Sequence, residues 1–359
     1  MTTDIEPPKY PLVILQPCPT HVPDLTLLNR MVKRILSTDE EYSVTFSPLV
    51  CPVDKRYLFS LKPYYWEVHP GNWEPRDGQR NPCCDLPQGQ NQLEKMATNV
   101  YILTLGVKHL ENSISEACLD RIQHLLTVFF LDSENGMLPQ VPYAQCVPGE
   151  ESPKGTLHFI IAVRYLLIVS QIIQQASLSP PLDTSLRSWF SQHVVWMKNS
   201  DLGKAAATHC DGPLGNNVAM WYHAALFSHL SYLDVAASVT QSLSHFLQRI
   251  LPLRPPVFFA SELARTRPRH YTVFMLEPTF ILADLTSPPG QSPDQRVLTY
   301  LDALLDFADT IKPGPIEGKV DNDQRFFAKL AWFRKRLSVW KGHASSLRLD
   351  DSLWEGGWN

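Results

Sequence analysis

Glycine is scarce in this sequence and proline is not: 359 residues hold 16 glycines and 30 prolines, where an ordinary chain carries about 7% glycine and about 5% proline. Few pliant joints and many stiff ones suit long elements bounded by rigid loops. No basic block is present, and 32 Lys+Arg against 36 Asp+Glu leave a formal charge of −4, so the electrostatic footprint of a nucleic-acid binder is missing. No run of about 18 apolar residues exists. The nearest, 157–173, is broken by His158 and Arg164, which argues against a membrane partner. The seven cysteines (18, 51, 83, 84, 118, 146 and 210) are odd in number and scattered, unlike a disulfide framework. Adjacent Cys83 and Cys84 fit neither a redox pair nor a zinc knuckle. His209, Cys210, His223 and His229 lack paired metal-ligand spacing, so they read as core or surface residues and no metal or cofactor is expected. A nucleophile elbow, a Walker loop and a dinucleotide fingerprint are all lacking. The opening, MTTDIEPPKYPLVILQPCP, has an acidic start and only Leu12–Leu15 as an apolar stretch, so no secretory signal is read and the chain as written is expected to be cytoplasmic.

What is there points to a large folded body. Hydrophobic residues make up 44% and charged ones 19%, enough to bury a sizeable core. The length is about twice that of a usual domain. Residues 1–23 read as a proline-rich arm, and 24–37 as a helix behind an Asp24 cap. From 38 to 90 the text is aromatic and aperiodic, a long loop system rather than disorder. Beyond it, helices are predicted over 91–112, 115–131, 155–177, 183–199, 216–233, 235–250, 273–286, 295–311 and 322–341. In the first of these, Leu93, Met96, Val100, Leu103 and Val107 form one stripe. The connections carry Pro or Gly, and strand-like alternation is scarce. The class is therefore all-α, built of antiparallel helical hairpins, as a solenoid or as an α/α toroid. No strict period of 20–50 residues supports the solenoid. The tail after 342 reads as a surface strap whose two tryptophans dock on the body.

Three patches interrupt the amphipathic pattern. Residues 62–82 (KPYYWEVHPGNWEPRDGQRNP) cluster aromatics with Arg76, Asp77 and Arg80. Such aromatics stack on sugar faces, or simply pack on the helices beneath, and arginine grips carboxylates bidentately. In 215–230 (GNNVAMWYHAALFSHL) Asn216 and Asn217 precede an apolar helix. One Asn suffices as a cap, while two, followed by Trp221 and Tyr222, also suit amides directed into a cavity. Residues 261–276 (SELARTRPRHYTVFML) place Arg265, Arg267 and Arg269 beside His270 and Tyr271 at a helix start, against the macrodipole. That run is either an exposed basic face or a device that makes a phenol acidic.

Taken in order, these patches resemble the alginate lyase family. The quoted stretches are PYYW at 63–66, RDGQRNP at 76–82, FFLDSENGMLPQ followed by YAQCVPG at 143–149, NNVAMW at 216–221 and ELARTRPRHY at 262–271, spread over roughly residues 45–290. The resemblance implies an incomplete α/α toroid: an arm and first helix in 1–40, the lyase-like domain in 41–290, and C-terminal helices and tail in 291–359 packed on the same domain. It implies a cleft for an acidic polysaccharide or oligosaccharide and cleavage by β-elimination, in which donors neutralise the uronate carboxylate so that its C5 proton can leave. No metal is needed where amide and guanidinium groups do that neutralising. Asn217 and Arg265 then look like the neutralisers and Tyr271 like the acid/base, acidified by Arg265, Arg267 or His270. Tyr64, Tyr65, Trp66, Arg76, Gln145, Asn216, Trp221, Arg267 and His270 look like substrate-binding residues. Val218 stands where the family usually has a histidine that assists neutralisation or acts as a base. A relative that binds acidic glycans without cleaving them is the alternative. An α/α-toroid hydrolase would want two facing carboxylates, and the patches offer no such pair. Members of the family are usually secreted or periplasmic, in contrast to the missing signal.

Overall fold

In the computed structural model the described residues are 21–22, 25–84, 88–209, 216–315, 320–342 and 347–348. The expected Asp24 cap, Cys210 and the two tail tryptophans lie outside them. Twelve α-helices lie among these residues: α1 (Leu25–Leu36), α2 (Gly89–His109), α3 (Asn112–Leu126), α4 (Phe159–Ile172), α5 (Pro180–Asn199), α6 (Asp201–Thr208), α7 (Asn217–Leu233), α8 (Val235–His245), α9 (Ala260–Leu263), α10 (Pro268–Asp284), α11 (Gln295–Ala308) and α12 (Val320–Trp340). Strand is sparse. A parallel pair joins β1 (His21–Val22) to β4 (Leu347–Arg348), and an antiparallel hairpin joins β2 (Tyr65–His69) to β3 (Asn72–Pro75).

Sequence character sorts the helices into two rings. α4 buries every residue except Ile161 and Arg164, and α7 and α10 are nearly as apolar all round; a helix without a polar face must lie inside. α11 keeps a narrower stripe, burying Val297, Leu298, Leu301, Leu304, Leu305 and Ala308. The side chains fix the directions. Tyr165 Oη of α4 donates to Glu94 of α2 at 2.7 Å. Gln171 of α4 donates to Ser228 of α7 at 3.0 Å. Trp221 of α7 meets Phe274 of α10, and Lys329 and Arg336 of α12 bind Glu277 and Asp284 of α10. Each pair lies at nearly equal depth from the two helix starts, so α2, α4, α7, α10 and α12 run parallel. α5 opposes them: Arg187, early in α5, donates to the carbonyl of Tyr232 late in α7, while Tyr222, early in α7, donates to Met197 late in α5.

Parallel inner helices backed by antiparallel outer ones make an α/α toroid, the class read from the sequence. Its consequence for function is that the starts of α2, α4, α7 and α10 share one rim. None of the helices is long and apolar enough to cross a membrane, within the described residues.

Candidate active site

The rim is assembled from the aromatic hairpin, the loop after it and the starts of three inner helices. In the RDG segment, Asp77 reaches the α9–α10 junction. One carboxylate oxygen accepts from Arg265 Nε at 2.8 Å and from its Nη2. The other accepts from the Thr266 N–H at 2.9 Å and its hydroxyl at 2.8 Å. Partial burial works against ionisation, but the hydrogen bonds from Arg265 and Thr266 outweigh it and hold the Asp77 pKa at about 2. Arg265, oriented in this way, lies with its guanidinium carbon 3.8 Å from the centre of the Tyr271 ring, a cation–π contact.

Tyr271 is buried, and its hydroxyl faces that of Tyr64 without completing a well-formed hydrogen bond. Burial first, and then Tyr64, push its pKa far above that of a free phenol, and the Arg265 charge offsets only part of that. The expected acidification by neighbouring cations is thus corrected: in the free protein desolvation wins, and the phenol keeps its proton. Glu262 on α9 is fully buried. Its Oε1 accepts from both the backbone N–H and the side-chain Nδ2 of Asn217, at 2.8 and 2.9 Å. That fixes which way the Asn217 amide faces and ties the start of α7 to the residue three before Arg265.

Arg265 and Tyr271 are thus in direct contact, with Tyr64 beside Tyr271, and Asn217 is joined to their segment through Glu262. The other expected residues fall into different places. Asn216 is the cap of α7, its Oδ1 accepting from the Val218 N–H at 2.9 Å; of the two readings the structure takes the cap. Trp221 is fully buried against Phe274 at 5.3 Å between ring centres, so in this structure the residue expected to bind substrate makes a core contact instead. Gln145, at the left-handed φ of 56°, donates from Nε2 to Gln90 at 3.1 Å and braces its loop against α2. Trp66 donates to the Gln79 carbonyl at 2.9 Å, and exposed Arg76 lies over its ring. Tyr65 lies under Lys62. Arg267 occupies the cap position of α10 without a side-chain capping bond, beside His270, which stacks on Phe274; burial, then Arg267, Lys329, Arg80 and Arg265 push the His270 pKa down to about 3. Arg269 turns away, donating to the Ile311 carbonyl at 2.9 Å and covering Phe326 and Phe327.

Three participants lie outside the expected set. Asp77 and Glu262 orient the Arg265 guanidinium and the Asn217 amide, and each lies inside a quoted motif to which the sequence assigns it no role. His158 occupies the cap position of α4, where burial, then Lys62, His209 and Arg265 push its pKa down to about 4. Its only sequence signal is that it interrupts an apolar run. Among the described residues no group of three or more His, Cys, Asp or Glu is arranged to hold a metal.

As a chemical device the rim offers an oriented amide, a guanidinium and a protonated phenol at the positive ends of parallel helices, a setting that favours an anion. Residues 53–303 match the model of the family described as alginate lyase, more than two thirds of the chain. Among solved structures, an alginate lyase from Bacteroides ovatus is similar at 21% identity over 92% of each chain, with a TM-score of 0.71; at that identity the likeness concerns the fold. None of the curated proteins matches.

Proposed function

Since this chain belongs to the alginate lyase family, we propose that it is a polysaccharide lyase that cleaves a uronate-containing polymer by metal-independent β-elimination. The observation that carries the reading is the grouping at the rim: Arg265 laid across the Tyr271 ring, with Asn217 fastened to Glu262 three residues earlier.

The chemistry follows from charge. A uronate C5 proton is hard to remove because the departing pair moves toward a carboxylate that is already negative. Donors fixed before the substrate arrives stabilise that build-up without reorganising. Asn217 Nδ2 keeps a second hydrogen beyond the one given to Glu262, and Arg265 keeps Nη1 beyond its bonds to Asp77. Tyr271, held protonated, is equipped to give a proton to the leaving glycosidic oxygen. Tyr64, Tyr65, Trp66 and Arg76 would flank the chain of sugars.

The test is purified protein with a panel of polyuronates, followed by the ultraviolet absorbance of the conjugated double bond that elimination creates. The expected outcome is turnover that Tyr271→Phe abolishes and Asn217→Ala lowers about 10²–10³-fold. No conjugated product from any polyuronate would overturn the reading. One observation favours a second: Val218, beside Asn217, is buried and only 2% exposed, and contributes neither charge nor proton. A chain that only binds acidic glycans would show affinity without turnover, unchanged in Tyr271→Phe.

A further inference from the structure

Elimination needs a base as well as an acid, and a phenol held protonated is suited to one half of that work. We propose that His158 is the base, acting from the α4 side of the Asn217 amide while Tyr271 acts as acid from the α10 side, on uronates whose C5 hydrogen and C4 oxygen leave from opposite faces of the sugar. The proposal rests on the lyase reading above and names its substrate class.

The placement comes from the order of the inner ring. α7 packs against both α4 and α10, so residues at the three helix starts flank one another in that order: His158, Asn217, then the Arg265–Tyr271 pair. His158 occupies the cap position of α4 yet makes no capping hydrogen bond. Its Nδ1 is buried with no partner, whereas the residue as a whole is part-exposed, which leaves Nε2 as the ring nitrogen for contact with a bound sugar. A buried polar atom left unsatisfied calls for an explanation, and a ring kept free to exchange a proton supplies one.

The surroundings keep that imidazole neutral. The charged and titratable groups facing it are Lys62 from the loop before the hairpin, His209 from the end of α6, with ring centres 6.0 Å apart, and Arg265. The start of α4 adds its positive dipole end. A base with a pKa of about 4 is weak in the empty site. Binding corrects this, because the uronate brings a negative charge among the cations that depress it and lifts the imidazole toward the working range. His270, the other neutral histidine at the rim, shares α10 with Tyr271 and stacks on Phe274, so it does not reach the opposite side.

With hydrogen on Nδ1, the Nε2 lone pair takes the C5 hydrogen as a proton. The C5–H pair becomes the C4=C5 double bond. The C4–O bond breaks with its pair on the glycosidic oxygen, which takes the Tyr271 proton. Imidazolium and phenolate return to their starting states by proton transfer through solvent, and neither water nor an oxidant is consumed.

The experiment compares the full chain with His158→Gln and His158→Asn on polyguluronate, where the two groups are on opposite faces, and on polymannuronate, where they share a face. Asn is a preferred capping residue, so the second variant guards the helix, and melting temperatures report folding. The expected result is cleavage of polyguluronate by the wild type, with kcat lowered about 10²–10⁴-fold in both variants at unchanged melting temperature. Variants that retain kcat would overturn the role of His158 alone. So would a wild type that cleaves only polymannuronate, on which Tyr271 can serve as both base and acid. Failure of the wild type on both polymers would overturn this inference together with the lyase reading.

Discussion

At the residue scale the site rests on carboxylates that hold other side chains in place. Asp77 joins the hairpin loop to Arg265 and Thr266, so Asp77→Asn should weaken Arg265 placement and lower kcat about tenfold or more, as loss of a charge-assisted bond to a guanidinium would. The sign of its acid dependence is fixed. The folded pKa lies at about 2, below the 3.8 of an ordinary aspartate, so the contribution to stability is complete above the latter and fades as pH falls toward the former. The melting-temperature gap between wild type and Asp77→Asn should narrow over that interval; a constant gap would refute the clamp. Gly149 is equally specific: at φ 80° it has no room for a Cβ, which would come within 2.6 Å of the Trp73 ring. Gly149→Ala should displace the hairpin and raise KM before it changes kcat. Much of this site is visible in the sequence, because Asn217, Arg265 and Tyr271 sit in motifs of recognisable type. Asp77, Glu262 and His158 are not, because their roles depend on which loop lands on which helix start, and residue spacing does not carry that information.

At the element scale, helices announced by apolar period are found close to their predicted bounds, α7 above all, whereas α4 falls short of the expected 155–177 at both ends because its flanks do not continue the helix. α6 gives no helical signal in the sequence, because DLGKAAAT is short and buries little beyond Gly203 and Ala206. The β2–β3 hairpin is hidden in the aperiodic 38–90 stretch because both of its faces are part-exposed and aromatic, which masks alternation. The α10–α12 interface was not legible either. There Arg336 Nη2 binds Asp284 at 2.7 and 2.9 Å, and both side chains are nearly inaccessible. Burial raises the Asp284 pKa despite that partner. Arg336→Leu should therefore cost about 3–5 kcal/mol by leaving a buried carboxylate uncompensated, while Asp284→Leu with Arg336→Leu should recover most of it. Denaturant midpoints for the single and double variants decide; a double variant as unstable as the single one would contradict the argument.

At the scale of the whole molecule, a common feature is neutral imidazole inside an apolar body. Burial drives the pKa of His193 and His245 to about 4 and of His223 to about 3, and depresses that of His229 as well. An unfolded histidine titrates near 6.5, so between that pH and about 4 the unfolded chain binds more protons than the folded one. Stability should be full above pH 6.5 and decline as acid is added through this window. Thermal melts at stepped pH should show the decline, and His193→Gln should flatten it; a melting temperature independent of pH there would contradict it. The toroid has one more consequence, which follows from its parallel inner ring. Every inner helix that starts at the working rim ends at the opposite face, where Pro288, Pro289, Gly290 and Gln291 are exposed. That turn is the natural place to graft a short affinity handle, and anchoring the protein there to a bead would leave its mouth open to a passing polymer.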